Sequence, residues 1–299
     1  MYTWTDIVAT LSWRGHSIDK ENFYKLISLG DYLKCPNQWT REVNDPKLRA
    51  WLSENPLWFE EAKRELDWCL QNNIRWSVLG GADYPESLAV QDRPPLILSY
   101  FGSPCWLKHS LLAVVGSRRP SPEALMWMEH EIPRLLDISE DLGVVSGGAM
   151  GVDQKAHSLS IRKKRPTLVF LPSGLSNIYP AALKNWVPSV IETDGAMISP
   201  FSPFSPMFKG HFHYRNRLIA ALSCLVFVVQ ARRRSGTMIT ARSAFECDRE
   251  IATLPFFPGQ GGSQGNLDLI FDGAHIVRDH KDLAMILSCG SAVGPNADS

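Results

Sequence analysis

Three short segments of this chain join glycine, small polar residues and arginine in an order suited to gripping phosphate. Gly116-Ser117-Arg118-Arg119 follows the apolar run Ala113-Val114-Val115. A glycine there lets the backbone come close to a ligand, and an arginine can fork onto phosphate oxygens. Ser146-Gly147-Gly148-Ala149-Met150-Gly151-Val152-Asp153 follows Gly143-Val144-Val145. Small residues of this kind can turn successive amides into a concave nest for an anion. Arg232-Arg233-Arg234-Ser235-Gly236-Thr237 follows the apolar run that ends at Val229, and Thr240 comes soon after. Any one of these is compatible with an ordinary tight turn. Three at equivalent strand-to-helix junctions form a pattern, because open α/β sheets bind ligands where strand carboxyl ends meet helix N-termini.

The same residues narrow the chemistry. The chain has no G-x-x-x-x-G-K-[ST] segment, which argues against a P-loop nucleotidase. The Ser146–Gly151 loop lacks the first glycine of G-x-G-x-x-G. About 20 positions on, where an acidic residue should hold a ribose, the chain reads Phe170-Leu171-Pro172-Ser173-Gly174. No cofactor is therefore expected. His211-x-His213 has no further ligand at metal spacing, so no metal site is expected either.

Charge points to a polyanion. The formal net charge is +0, yet not one Asp or Glu stands between Gly195 and Phe245, where Lys209, Arg215, Arg217, Arg232, Arg233, Arg234 and Arg242 fall. Clearing acids from one stretch of a neutral protein predicts an electropositive face. The run Arg162-Lys163-Lys164-Arg165, at a helix end, reads as merely solvated. Tyr179, Phe201, Phe204, Phe208, Phe212 and Tyr214 interleave with the charges. Most of these rings are expected in the core, with one or two left to stack on bases of a single strand.

The elements that position these residues follow from periodicity. Residues 1–70 carry apolar residues at helical spacing (Trp4, Ile7, Val8, Leu11; Trp58, Phe59, Ala62, Leu66) and predict a small helical N-terminal domain whose tryptophans are core. From Leu111 onward short apolar runs alternate with helical patterns: LLAVV, GVVS, TLVF, AMIS, LVFVV and EIAT are strands, with helices predicted over Ser121–Ile138, Val152–Ile161, Ala181–Val190, Tyr214–Leu222 and Met238–Cys247. Pro133 predicts a kink or an early end in the first of these. This is the signature of an α/β fold, an extended Rossmann-like, doubly wound and mostly parallel sheet, over residues 71–288. Residues 289–299, rich in Gly, Asn and Ser, read as a disordered tail. The six cysteines are scattered without a C-x-x-C pair, no secretory signal opens the chain, and no apolar run spans a membrane. A cytoplasmic protein with free thiols is expected.

Read together, the motifs resemble the DNA-processing protein A family, DprA/Smf. The likeness runs from about Tyr84 to Val277 through YPESL, PPLILSYFG, AVVGSRRPS, VVSGGAMGVDQKAH, LPSGLSNIYP, RNRLIAALS, VVQARRRSGTMITA and GNLDLIFDGAHIV. The resemblance implies an extended Rossmann fold, a homodimer, binding and protection of single-stranded DNA during natural transformation, and help in loading the RecA recombinase. It places phosphate contacts on Gly116, Ser117 and Arg118, on Gly147, Gly148 and Gly151, and on Lys184 after the Tyr179-Pro180 turn. Arg215, Asn216, Arg217, Ser235, Gly236, Thr237 and Thr240 would complete the pocket wall. The chain departs from the family where Gln230 replaces a glutamate, where His213 follows Phe212 in place of proline, where Pro255 precedes Phe256, and near Leu183. Many members carry a C-terminal winged-helix domain, which this sequence is expected to lack.

Two rivals stand beside this reading. Phosphoribohydrolases that cut nucleoside monophosphates share the fold and read P-G-G-x-G-T-x-x-E at the third junction. Here Ala241 stands where their glutamate would, leaving no carboxylate to stabilise an oxocarbenium-like state, so no catalytic residue is expected. An interaction adaptor without DNA binding is the other. The retained Arg118, Lys184, Arg215 and Arg217 argue against it.

Overall fold

A computed structural model describes residues 2–15, 18–30 and 36–291; of the tail expected over 289–299, residues 289–291 instead complete the last helix, and 292–299 lie outside the described residues. The chain divides into two compact units. One takes in residues 1–101, 173–178 and 198–207; the other takes in residues 102–172, 179–197 and 208–299.

The first unit holds helices α1 (Trp4–Ala9), α2 (Lys20–Ser28), α3 (Pro36–Glu42), α4 (Pro46–Glu54) and α5 (Trp58–Gln71), then β1 (Arg75–Val78), α6 (Glu86–Ala89) and β2 (Ile97–Gly102). Thr3 closes a capping box on α1, and Asp19 and Asp45 cap α2 and α4. Trp39 and Trp58 are fully buried, and Trp4 meets Trp39 edge-on at 5.6 Å. These rings are core, as expected. β1 and β2 pair antiparallel, Trp76 opposite Ser99.

The second unit carries β3 (Ser110–Val115), α7 (Pro122–Ile138), β4 (Leu142–Ser146), α8 (Val152–Arg162), β5 (Thr167–Phe170), α9 (Val187–Glu192), β6 (Ala196–Ser199), α10 (Lys209–Leu222), β7 (Leu225–Val228), α11 (Gly236–Glu246), β8 (Glu250–Thr253), α12 (Gln264–Phe271), β9 (His275–Ile276) and α13 (His280–Ser291). Its strands lie in the order β6-β5-β4-β3-β7-β8-β9. Leu112 pairs with Val144 on one side and with Leu225 on the other, both in parallel. β3, β4, β5 and β7 are buried on both faces, which is why they read as unbroken apolar runs rather than alternating ones. The chain winds outward from β3 through β4, β5 and β6, then returns to lay β7 against β3. The switch point of the topology therefore lies between β3 and β7.

Three expectations need correction. α7 neither ends nor breaks into two helices at Pro133. It runs on to Ile138, because Ile132, Leu135 and Leu136 are buried against Leu112, Val144 and Phe227, outweighing one lost backbone hydrogen bond. The helix expected over Ala181–Val190 is a 3-10 helix over Ala181–Trp186 followed by α9. α10 starts at Lys209, five residues before Tyr214.

Candidate functional site

At the switch point the chain forms a cleft of about 400 Å³ lined by the loops after β3 and β7 and by residues of α10 and α11. Of the residues singled out from the sequence, Gly116, Ser117, Arg118, Arg215, Asn216, Ser235, Gly236, Thr237 and Thr240 line it together. Arg119, Asp153, Phe212 and Arg232 join them.

The first loop is held by its own backbone. Ser117 donates its amide to the Gln230 carbonyl (2.7 Å), and its carbonyl accepts from the Val152 amide (3.2 Å). Gln230 is buried and also accepts the Ser121 amide on its side-chain oxygen at 2.7 Å. Gln230, one of the positions at which the sequence departs from the family it resembles, thus ties the first and third junctions together, and a hydrogen-bond acceptor is all that task requires.

The glycines act mainly as clearance. A Cβ on Gly116 would meet Val152 Cγ2 at 2.6 Å, and one on Gly151, where φ is +87°, would meet the Ser117 carbonyl oxygen at 2.4 Å. Gly148 (φ +70°) would meet Leu183 Cδ1 at 2.5 Å. Gly147 is covered by Arg215: its Cβ would fall 1.1 Å from Arg215 Nη1. Gly147, Gly148 and Gly151 therefore support the cleft from behind and do not line it. Lys184 is exposed on the 3-10 helix, off the cleft wall, next to the Leu183 that packs on Gly148. Arg217 is also off the wall. Two positions along α10 from Arg215 it lies about 200° round the helix. It sits by Cys247, whose thiol burial raises while the Arg217 charge opposes the shift.

Arg215 is 4% exposed, and burial pushes its guanidinium down to about 10, the nearby Asp153 charge opposing that shift. Asp153 is buried too. Burial raises its carboxyl above the usual range, against the pull of the Arg215 charge and of the Ala149 amide it accepts at 3.3 Å. One turn along α8, burial and then the Arg215 charge push His157 down to about 3, and its Nδ1 lies 2.7 Å from Thr167 Oγ1. The cleft wall therefore includes a buried cation balanced by a buried acid. Asp153 ends the second of the three segments and His157 falls in the VDQKAH motif, but neither is marked by the sequence as a site residue; their i,i+4 spacing on α8 is the available signal.

The Phe212 ring lies near two guanidinium groups, 5.8 Å from Arg118 and 5.7 Å from Arg215, and meets Tyr179 edge-on at 6.1 Å. Asn216 donates to the Gly236 carbonyl at 3.3 Å, fixing α10 against the start of α11. Among the described residues, Ser235 Oγ and Arg215 Nε are buried without a hydrogen-bond partner, and both residues line the cleft. Buried polar atoms left unsatisfied call for a ligand or water.

The aromatic residues are more accessible than expected. Tyr179, Phe204 and Phe208 are exposed and Phe201, Phe212 and Tyr214 half-buried, because they fall on connections and on the outer turns of α10 rather than on strands. The Arg162–Arg165 run is not simply solvated: Arg162 pairs with Glu129 at 2.5 Å, Lys163 with Asp137 at 2.5 Å, and Arg165 donates to the Glu140 carbonyl. His211 Nδ1 donates to the Pro172 carbonyl at 3.0 Å, and no three metal-binding side chains gather among the described residues. No helix among them is long and apolar enough to cross a membrane.

A family model described as DNA recombination-mediator protein A matches residues 76–288, a span that contains the whole cleft. The chain belongs to that family. Protein Smf of Synechocystis sp. is 32% identical over 236 residues, covering 77% of this chain and 56% of that protein. DNA processing protein DprA of Streptococcus pneumoniae is 34% identical over 200 residues, covering 67% and 70%. The chain thus spans just over half the length of the Synechocystis relative. Among solved recombination-mediator structures, the X-ray structure of DprA from Streptococcus pneumoniae superposes with a TM-score of 0.72 at 28% identity, over 95% of this chain and 98% of that one. DNA processing protein A from Helicobacter pylori, solved for its single-stranded DNA binding mode, superposes with a TM-score of 0.62 at 28% identity, over 73% and 97%.

Proposed function

We propose that the cleft grips the backbone of single-stranded DNA and does no chemistry on it. The observation that carries this reading is the convergence of Arg118, Arg119, Arg215 and Arg232 on one cleft whose carboxylate, Asp153, is buried beneath them. Phosphates occupy the loop after Gly116 and the space against Arg215 and Ser235. Phe212, already close to two cations, offers a face or edge to a base. The Helicobacter relative's single-stranded DNA binding supports the same use of the fold. Contacts made to phosphate position the strand without reading it, so sequence preference is weak. Lys184, exposed outside the cleft, serves as an outlying phosphate contact.

A phosphoribohydrolase is disfavoured. Ala241 is buried where that chemistry needs a glutamate, and Asp153 is committed to the Ala149 amide and the Arg215 charge. Within the cell the same reading makes this a cytoplasmic homodimer that protects incoming single strands in natural transformation and helps load RecA onto them.

The test is fluorescence anisotropy with labelled oligo-dT and its duplex, at low and moderate salt, for wild type and Arg118→Ala. Single-strand affinity should fall with salt at a log–log slope of about −0.7 per phosphate contacted. Arg118→Ala should weaken binding to all single strands alike. A loss confined to one base composition, or no binding at any salt, refutes the reading.

A further inference from the structure

We propose that a single strand held in the cleft continues into a second groove on the same unit, with Arg232 shared between the two and Arg234 supplying a phosphate contact of its own. The inference rests on the reading of the cleft given above and extends it from a pocket to a track.

The second groove, about 770 Å³, is lined by Arg232, Arg233, Arg234, Gly261, Gly262 and Gln264. Arg232 lines both hollows. Gly262 comes within 3.6 Å of Gln230 Nε2 and 4.0 Å of Arg232 Nε, measured from where its Cβ would be, so the far groove abuts the residue that ties the first loop to β7. No carboxylate lines the second groove. Arg233 takes Asp268 in a two-pronged pair, Nε at 2.6 Å and Nη2 at 2.7 Å, which cancels that acid's charge beside the arginine run. Arg232 and Arg234 are exposed, and neither pairs with a carboxylate among the described residues. Of three consecutive arginines, the middle one neutralises an acid and the outer two face solvent.

The shape identifies the ligand. A small anion needs a closed nest or a buried cation, and this groove has neither. Its arginines are all at the surface, and nothing lies within 4 Å of the Cβ position of Gly261. An open basic trough that shares an arginine with a more enclosed cleft suits a polymer that makes one firm contact and several weak ones. A single strand is the polyanion thin and flexible enough to pass from one to the other.

The test uses the full chain with two labelled oligo-dT ligands, one of about four nucleotides to fill the cleft and one of about twenty to follow the track. Arg234→Ala touches an exposed side chain outside the cleft. Gly261→Glu sets a negative charge where there is open space and no left-handed φ. Both variants should bind the short ligand like wild type and the long one about five- to tenfold more weakly. Arg234→Ala should also flatten the salt dependence of the long ligand by about 0.7 in log–log slope. Variants that match wild type on both ligands overturn the track and leave the cleft standing. Equal losses on both ligands overturn it as well, since Arg234 would then belong to the cleft. A wild-type protein that binds neither ligand overturns both readings together.

Discussion

Gly147→Ala is the sharpest probe of how the cleft works. The new Cβ would sit 1.1 Å from Arg215 Nη1 and 2.3 Å from Cζ, whereas ordinary contacts begin near 3.4 Å. The guanidinium must therefore retreat by more than 2 Å. That exceeds the tolerance of a hydrogen bond, so the phosphate contact proposed for Arg215 should be lost. A hydrogen bond to a charged group is worth about 1.5–3 kcal/mol, which is roughly a ten- to hundredfold loss of affinity. The fold should suffer less. Gly147 does not adopt a left-handed φ, so alanine is not strained there. Arg215 is displaced rather than removed, and the cost should stay below the ~3–5 kcal/mol of stripping a buried charge of its partner. Gly148→Ala is the control. At φ +70° and 2.5 Å from Leu183 Cδ1 it should destabilise the chain without moving Arg215 directly. Urea denaturation and oligo-dT anisotropy on both variants separate the two effects. A folded Gly147→Ala protein that binds like wild type refutes the argument that Arg215 is the phosphate-gripping cation, as does a Gly148→Ala protein with the same loss per folded molecule.

Two further outcomes are expected. Gln230→Ala leaves the Ser121 amide without its acceptor and should cost about 1–2 kcal/mol of stability, while Gln230→Glu keeps the acceptor and should cost less; equal losses in urea denaturation would contradict the role given to that side chain. His157 gives a pH signature of definite sign. Its folded value, about 3, lies below the ordinary 6.5 of a free imidazole, so the unfolded chain takes the proton first; the contribution to stability is full above pH 6.5 and lost as pH falls toward 3. The slope approaches ~1.4 kcal/mol per pH unit. Asp153, raised by burial, acts in the opposite sense, so the comparison must be made with His157→Gln, whose stability should fall less between pH 7 and 5. Parallel curves would show that His157 is not buried neutral.

The sheet and the three junctions were legible because fully buried parallel strands leave an unmistakable trace. Leu111–Val115 and Leu225–Val229 are continuous apolar runs, each ending near a glycine or serine that opens a helix. What the sequence hides is lateral placement. The Arg162–Arg165 run looks solvated until α7 is laid beside it with Glu129 and Asp137 facing across. Phe208 to His211 lacks apolar periodicity, so the sequence shows neither the start of α10 nor the turn that brings Phe212 close to two arginines. The early helix end that Pro133 predicts fails for the same reason, since propensity is local and the packing that overrides it is not. Arg217 could have been separated from Arg215 by helical geometry alone. The buried Asp153–Arg215 balance could not, because it joins residues 62 positions apart.

Ser117 is held on both sides at once, its amide by the end of β7 and its carbonyl by the start of α8, over a glycine that leaves no room to spare. A receptor clamped in this way has lost its conformational freedom before any ligand arrives. The ordering that accompanies binding then falls almost wholly on the strand. It follows that the modest preference left between a stacked polypurine strand and a limp polypyrimidine should reflect not the identity of any base but how much freedom each strand has left to lose.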